Sequence, residues 1–273
     1  MIGLLISSGH KARQSRGEMN SAGRIMLLSC PGREDVIDFW FYCQRHFWPD
    51  CPLHVDILDQ PTFQCWTKRL RAYLETIEGW LILWVDDSVL KHFDGPELGR
   101  CFNYFISNPD VGAFKLRHGH RGGMDEITPI PELPPYACYN KQVLAGFIKG
   151  MSPSPTLWRV EALRDISAPR RRSPEQDDGW VGFYNWELAG SHALRASKWN
   201  MVVRTGPPTD LGAVDTCNAV FQGGAWNACA VRLATEIGYE LHPGRGFRQY
   251  TPGKESQPVQ VLKWRAARRT GKR

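Results

Sequence analysis

Short apolar runs alternate with amphipathic stretches through the first half of the chain. Arg24 to Ser29 is an apolar run that ends at Pro31-Gly32, a pattern that predicts a buried strand and a turn. Glu34 to Trp48 carries Val36, Ile37, Trp40, Phe41 and Phe47 at helical spacing, and Pro49 and Pro52 stop it. Leu53 to Leu58 reads as a second strand. Thr67 to Ile77 reads as a second helix, with Leu70, Tyr73, Leu74 and Ile77 on one side. Trp80 to Val85 is apolar throughout and lacks alternation, so both of its faces are expected to be covered, as in a central parallel strand. Glu97 to Ile106 is a third helix, and Val111 to Leu116 is a strand after the Asn108-Pro109-Asp110 turn. This β-α-β-α-β-α-β order predicts an α/β fold, a mostly parallel sheet with helices on both faces.

The second half is less periodic. Arg121 to Pro135 reads as loop, Val160 to Ile166 and Ala228 to Ile237 as helices, and Pro169 to Gly179 as a charged loop. Pro, Gly and basic residues after Leu241 predict a loose tail. No internal repeat is present. The expected division is a basic leader over 1–20, one domain over 21–245 and a basic tail over 246–273.

With 42% apolar and 23% charged residues in 273, the composition is that of a folded domain and not of a disordered chain. The formal charge of +6 is concentrated in Arg170–Arg172 and in the last eleven residues, a distribution that suits a phosphate-bearing partner or a solvated terminus. Eleven tryptophans suit either core positions or platforms for the C–H face of a sugar. The eight cysteines form no C-x-x-C pair, and several lie inside apolar runs, so reduced, mostly buried thiols are expected. No secretory pattern and no membrane-length apolar stretch is visible, so the expected location is cytoplasmic.

The chemistry concentrates at Asp86-Asp87, at the carboxyl end of the most apolar strand. Ligands of open α/β sheets bind beyond the carboxyl ends of the strands. Two adjacent carboxylates repel unless hydrogen bonds or a cation offset the repulsion, and a hard divalent ion bridged to a diphosphate is such a cation. Alternatively, one aspartate caps the element that follows. Arg117, at the end of the Val111 strand, suits a phosphate contact or a surface ion pair. His118-Gly119-His120 with Asp125 fits no standard zinc spacing and reads as a surface loop.

The segment LILWVDDSVL (81–90), followed by a helix and then NPDVGAFKLR (108–117), resembles a bacterial and phage family of GT-A-type glycosyltransferases. That family has a hydrophobic strand, an acidic pair, a short helix and a strand ending in an Arg-containing turn. The similarity includes Phe47-Trp48-Pro49-Asp50-Cys51-Pro52 and Trp66-Thr67-Lys68-Arg69-Leu70 upstream. Downstream it includes Ser154 to Arg159, Asn185 to Ser191 and Val220 to Trp226. It extends over roughly residues 23–238, and the acidic motif departs from the pattern by reading Val-Asp-Asp-Ser in place of Asp-x-Asp.

The resemblance implies a GT-A-like nucleotide-sugar-binding domain and a nucleotide-sugar donor. It implies donor contacts at Asp86, Asp87 and Arg117, with Mn2+ or Mg2+ on Asp87 and Asp86. Glu187 is the implied catalytic base of an inverting transfer, and Trp158 and Trp186 are the implied acceptor contacts. A surface glycan and a hydroxymethylated base of DNA are both expected acceptors, the basic clusters favouring DNA. Two other classes stand beside this one: a non-catalytic sugar- or nucleotide-binding module on a degenerate transferase fold, and a nucleotidyltransferase with strand-end carboxylates.

Overall fold

The computed structural model of the chain describes residues 23–59, 66–118, 127–140, 155–167, 190, 192–205 and 211–248. Strand β1 (Gly23–Ser29) passes through the Pro31-Gly32 turn into α1 (Glu34–Phe47), followed by β2 (His54–Asp59), α2 (Trp66–Leu74) and β3 (Trp80–Val85). Then come β4 (Ser88–Phe93), α3 (Gly95–Ser107), β5 (Val111–His118), and the strands β6 (Ile127–Pro129) and β7 (Tyr136–Tyr139). Strand β8 (Thr156–Arg159) runs directly into α4 (Val160–Ile166), and β9 (Asn200–Arg204) and β10 (Val214–Asn218) follow. The last elements are β11 (Phe221–Gln222), β12 (Ala225–Asn227), α5 (Ala228–Ile237) and β13 (Phe247–Arg248).

The main sheet has the order β2-β1-β3-β8-β5-β9-β7-β6. Strands β2, β1, β3, β5, β9 and β6 run one way; β8 and β7 run the other. The sheet is therefore mostly parallel, as expected, but β8 is wedged antiparallel between β3 and β5. Direction depends on tertiary neighbours, and no periodicity in a four-residue strand such as Thr156–Arg159 encodes it.

Period-2 alternation in the central strands sorts side chains to two cores. Ile25, Leu27, Trp80, Ile82 and Trp84 face α1 and α3 on one side, with Phe39, Trp40, Leu98, Phe102 and Phe105. Met26, Leu28, Leu81 and Leu83 face α2 and α4 on the other, with Leu70, Leu74, Val160 and Leu163. Helices thus cover both faces. At its start α3 is fixed by Asp94, whose Oδ1 accepts from the Glu97 amide at 3.0 Å, and Pro96 stands in its first turn. Gly238, with φ of 71°, ends α5 in the left-handed region.

Three segments depart from the expectation. The chain does not pass straight from the acidic pair to a helix; it forms β4, which pairs antiparallel with β10 in a second sheet. The stretch read as loop contains β6, paired with β7. The end read as a loose tail is built in as far as Arg248: the Trp226 amide donates to Gly246 O at 3.1 Å, and β13 pairs with β12. No helix among the described residues is long and apolar enough to cross a membrane.

Candidate functional site

From β1 the chain moves to β2 on one side and then back across β1 to β3 on the other. Helices α1 and α2 therefore lie on opposite faces, and the winding of the sheet reverses between the carboxyl ends of β1 and β3. Such a switch point is where doubly wound sheets bind ligands. Ser29, the turn through Arg33 and the Asp86-Asp87 pair meet there, beside the N-terminus of α1.

The turn that carries the acidic pair is held by bonds from four directions. The Asp86 amide donates to Leu28 O at 3.0 Å, and the Val220 amide donates to Asp87 O at 2.9 Å. The Trp84 indole donates to Ser88 O at 2.5 Å, and Ser88 Oγ donates to Asn218 Oδ1 at 2.7 Å.

Side by side in sequence, the two aspartates occupy different environments. Asp86 is 2% exposed, and both of its carboxylate oxygens are engaged. Oδ2 accepts from Ser29 Oγ at 2.7 Å and Oδ1 from Arg33 Nη1 at 2.6 Å. Burial raises its pKa, while the Arg33 charge and the Ser29 bond pull the other way. Asp87 is half-buried, and no side chain among the described residues donates a hydrogen bond to it. Burial, followed by the negative charge of Asp86, pushes its carboxyl up to about 6.

A second ring of residues surrounds the pair. Arg33 and Arg245 lie over the Phe221 ring, their guanidinium carbons 5.5 and 5.3 Å from its centroid. Arg245 also grips Asp35, in the first turn of α1, through Nε at 2.9 Å and Nη2 at 2.8 Å, and it donates to Gly32 O. Among the described residues, the carboxylates Glu34, Asp35, Asp86 and Asp87 outnumber the cations Arg33 and Arg245 here, and of Asp35, Asp86 and Asp87 only Asp87 has no ion pair.

Arg117 stands at the same edge of the sheet but two strands away from β3, about 10 Å by the usual strand spacing. Its Nε lies 3.9 Å from Oδ1 of the buried Asp215, whose Oδ2 is 2.7 Å from Lys91 Nζ. Two cations, Lys91 and Arg117, thus approach the one buried carboxylate of Asp215.

Trp158 corrects the expectation of an acceptor contact. It is 1% exposed, at the centre of β8, in register with Leu81 and Ala113. A ring enclosed in the core presents no face to a sugar. Trp40, Trp48, Trp80, Trp84, Trp199 and Trp226 are likewise core residues. Glu187 and Trp186 lie outside the described residues, as do Arg170–Arg172, the leader, and the tail beyond Arg248. The described cysteines, all eight except Cys65, are free thiols, but only Cys43 and Cys101 are buried and the other five are half-buried, so most are less enclosed than expected. Among the described residues no cluster of three or more His, Cys, Asp or Glu side chains is arranged to hold a metal by itself.

Sequence reasoning missed Ser29, Arg33, Asp35, Phe221 and Arg245. Arg33 had a signal: a cation in a tight turn directly after the first apolar strand. Arg245 had none, because its partner Asp35 is 210 residues away.

No family model matches this chain, and no curated protein matches it. Among solved structures it is similar to CMP:2-keto-3-deoxy-manno-octonic acid synthetase in complex with CTP. The TM-score is 0.43 at 11% identity, over 80% of this chain and 99% of that one. A likeness of that depth carries no inference about activity.

Proposed function

We propose that the chain is a GT-A-like glycosyltransferase that takes a sugar from a nucleotide-sugar donor, with the donor diphosphate seated at the β1–β3 switch point. The observation that supports this most is the division of labour between the aspartates. Asp86 is closed off by Ser29 and Arg33; Asp87 feels the Arg33 charge only from a distance, and no side chain among the described residues bonds its half-buried carboxylate.

A divalent cation bridged to a diphosphate supplies the missing charge. Mg2+ commonly takes one or two protein carboxylates and completes its shell with phosphate oxygens and water, so a single Asp87 is a fitting donor set for Mg2+ or Mn2+. When bound, the ion neutralises charge on the departing diphosphate. Asp86 then serves as a positioning residue: it holds Arg33 and fixes the turn on which Asp87 stands. The N-terminus of α1 contributes amide dipoles that favour phosphate. Arg117, at the carboxyl end of β5 two strands from β3, is the second proposed donor contact, on the strength of the resemblance.

Glu187 is the proposed base, removing the acceptor proton in an inverting transfer, and Trp186 is the proposed acceptor contact; both rest on the resemblance. The basic clusters support an anionic acceptor such as DNA over a neutral glycan.

Incubating the purified protein with a panel of nucleotide sugars and Mn2+ or Mg2+ tests the reading. Release of a nucleoside diphosphate is expected, and Asp87→Asn should reduce it about a hundredfold or more. Undiminished turnover in that variant would end the donor-site assignment. Pyrophosphate formed from a nucleoside triphosphate and a sugar acid would point to a nucleotidyltransferase, and calorimetric binding without any product to a binding module.

A further inference from the structure

Two thiols lie at the base of the segment that carries Phe221. Cys217 is the penultimate residue of β10, and Cys229 is the second residue of α5. Between them run β11, the Gly223-Gly224 turn and β12. The two sulfurs are hydrogen-bonded to each other, and Cys229 Sγ is also 3.6 Å from Asn218 O. Both residues are half-buried, whereas Cys43 and Cys101 are fully enclosed.

We propose that Cys229 is a peroxide-reactive thiol and Cys217 its resolving partner, the two closing a reversible disulfide across the base of the Phe221 hairpin. The chemistry needs a peroxide as the oxidant. The Cys229 thiolate attacks one peroxide oxygen; an S–O bond forms, the O–O bond breaks, and hydroxide leaves to become water. Cys217 then attacks the sulfenic sulfur of Cys229. The S–S bond forms, the S–O bond breaks, and the Cys217 proton leaves with the hydroxyl as a second water. Two thiols lose two electrons to one peroxide.

The surroundings favour this order of attack. The hydrogen bond from Cys217, together with the amides of the first turn of α5, brings Cys229 down to about 7. The same hydrogen bond and burial push Cys217 up, which keeps it a thiol until the sulfenic acid forms. Burial raises Cys43 and Cys101 to about 12 and Cys51 to about 11, so these thiols are poor nucleophiles at neutral pH. A bond at this position ties down the segment that bears Phe221 and whose Val220 amide holds Asp87.

The test of the disulfide itself needs no variant. No Lys or Arg lies between Arg204 and Arg232, so both cysteines fall on one tryptic peptide, residues 205–232. Native protein is exposed briefly to hydrogen peroxide, quenched with an alkylating agent and digested without reduction. The peptide is expected to be lighter by two hydrogens and to carry no alkyl group, and reduction before alkylation should restore two. A peptide 205–232 that still takes two alkyl groups after peroxide has oxidised the other cysteines would overturn the proposal. So would a disulfide joining either residue to a different cysteine. In Cys217→Ser, a sulfenic-acid trap should label Cys229; a folded variant without that label would refute the assigned order. At pH 7, Cys229 should alkylate about tenfold faster than an unperturbed thiol.

Discussion

Replacing each aspartate of the pair by asparagine should move stability in opposite directions. Asp87 carries a carboxyl pushed up to about 6 from an ordinary value of 3.8. A group whose folded pKa is raised favours the folded state while it is protonated. Its contribution is fully present below about pH 4 and is lost as pH rises to about 6, beyond which the penalty is constant. Two units correspond to about 3 kcal/mol. Partial exposure and solvent screening reduce that to about 1–2 kcal/mol. Asp87→Asn removes the penalty and should stabilise the metal-free protein by that amount at pH 8. For a chain of this size the shift is about 3–6 °C in Tm. The gain should vanish near pH 4.

Asp86→Asn does the reverse: burial raises the Asp86 pKa too, but this substitution also strips two bonded partners of their acceptor, and that loss outweighs the relief of desolvation. It leaves Arg33, a quarter exposed, without the carboxylate at 2.6 Å, and it weakens the acceptor for Ser29 Oγ. Breaking a largely buried pair by removing one partner should cost about 2–4 kcal/mol. Urea unfolding of the three proteins at pH 4, 6 and 8 gives both signs in one set of curves. If Asp87→Asn is no more stable than the parent at pH 8, or keeps its pH slope between 4 and 6, the description of Asp87 as a carboxylate that burial and Asp86 destabilise is wrong. If both variants lose the same stability, the pair is one structural unit and the proposed division of roles fails.

Other substitutions test the frame that carries the site. Ala219 has φ of 53°, unusual for a residue with a side chain, and its carbonyl accepts from Asn227 Nδ2. Ala219→Gly should be neutral or stabilising by up to about 1 kcal/mol in urea unfolding, and a clear loss would show that the conformation carries no strain. Arg159 binds the last carbonyls of α3, Phe105 O at 2.5 Å and Asn108 O at 3.2 Å, as well as Val111 O at 3.0 Å. Arg159→Ala should cost about 2 kcal/mol, with hydrogen exchange accelerated first at the end of α3. A side chain at Gly112 would place Cβ 2.7 Å from Ala162 Cβ and 2.8 Å from Trp199 Cβ, so Gly112→Ala should lose about 1–3 kcal/mol in thermal melts.

The parts of the fold that were legible in the sequence are those in which one element states its own environment. Trp80–Val85 has to be central because it is apolar on both faces, and Ala228–Ile237 ends where Gly238 supplies a left-handed residue. Strands β8 and β9 say little alone: four or five residues fit a strand, a turn or a helix end, and their neighbours in the sheet decide. The site divides in the same way. That a carboxylate pair at the end of β3 marks a ligand edge follows from local order. Which carboxylate is free does not, because Asp86 and Asp87 are chemically identical until the fold brings Ser29, 57 residues away, and Arg33, 53 residues away, to one of them. Trp158 makes the complementary point. Its neighbours in sequence fitted an acceptor motif, but a residue paired on both sides inside a sheet with helices over it is core whatever its side chain is suited to bind. The chemistry of a residue type proposes a role, and the number of its faces left open decides whether that role is available. By that criterion Asp87, half-buried where Asp86 is enclosed, is the member of the pair that the proposed donor would meet.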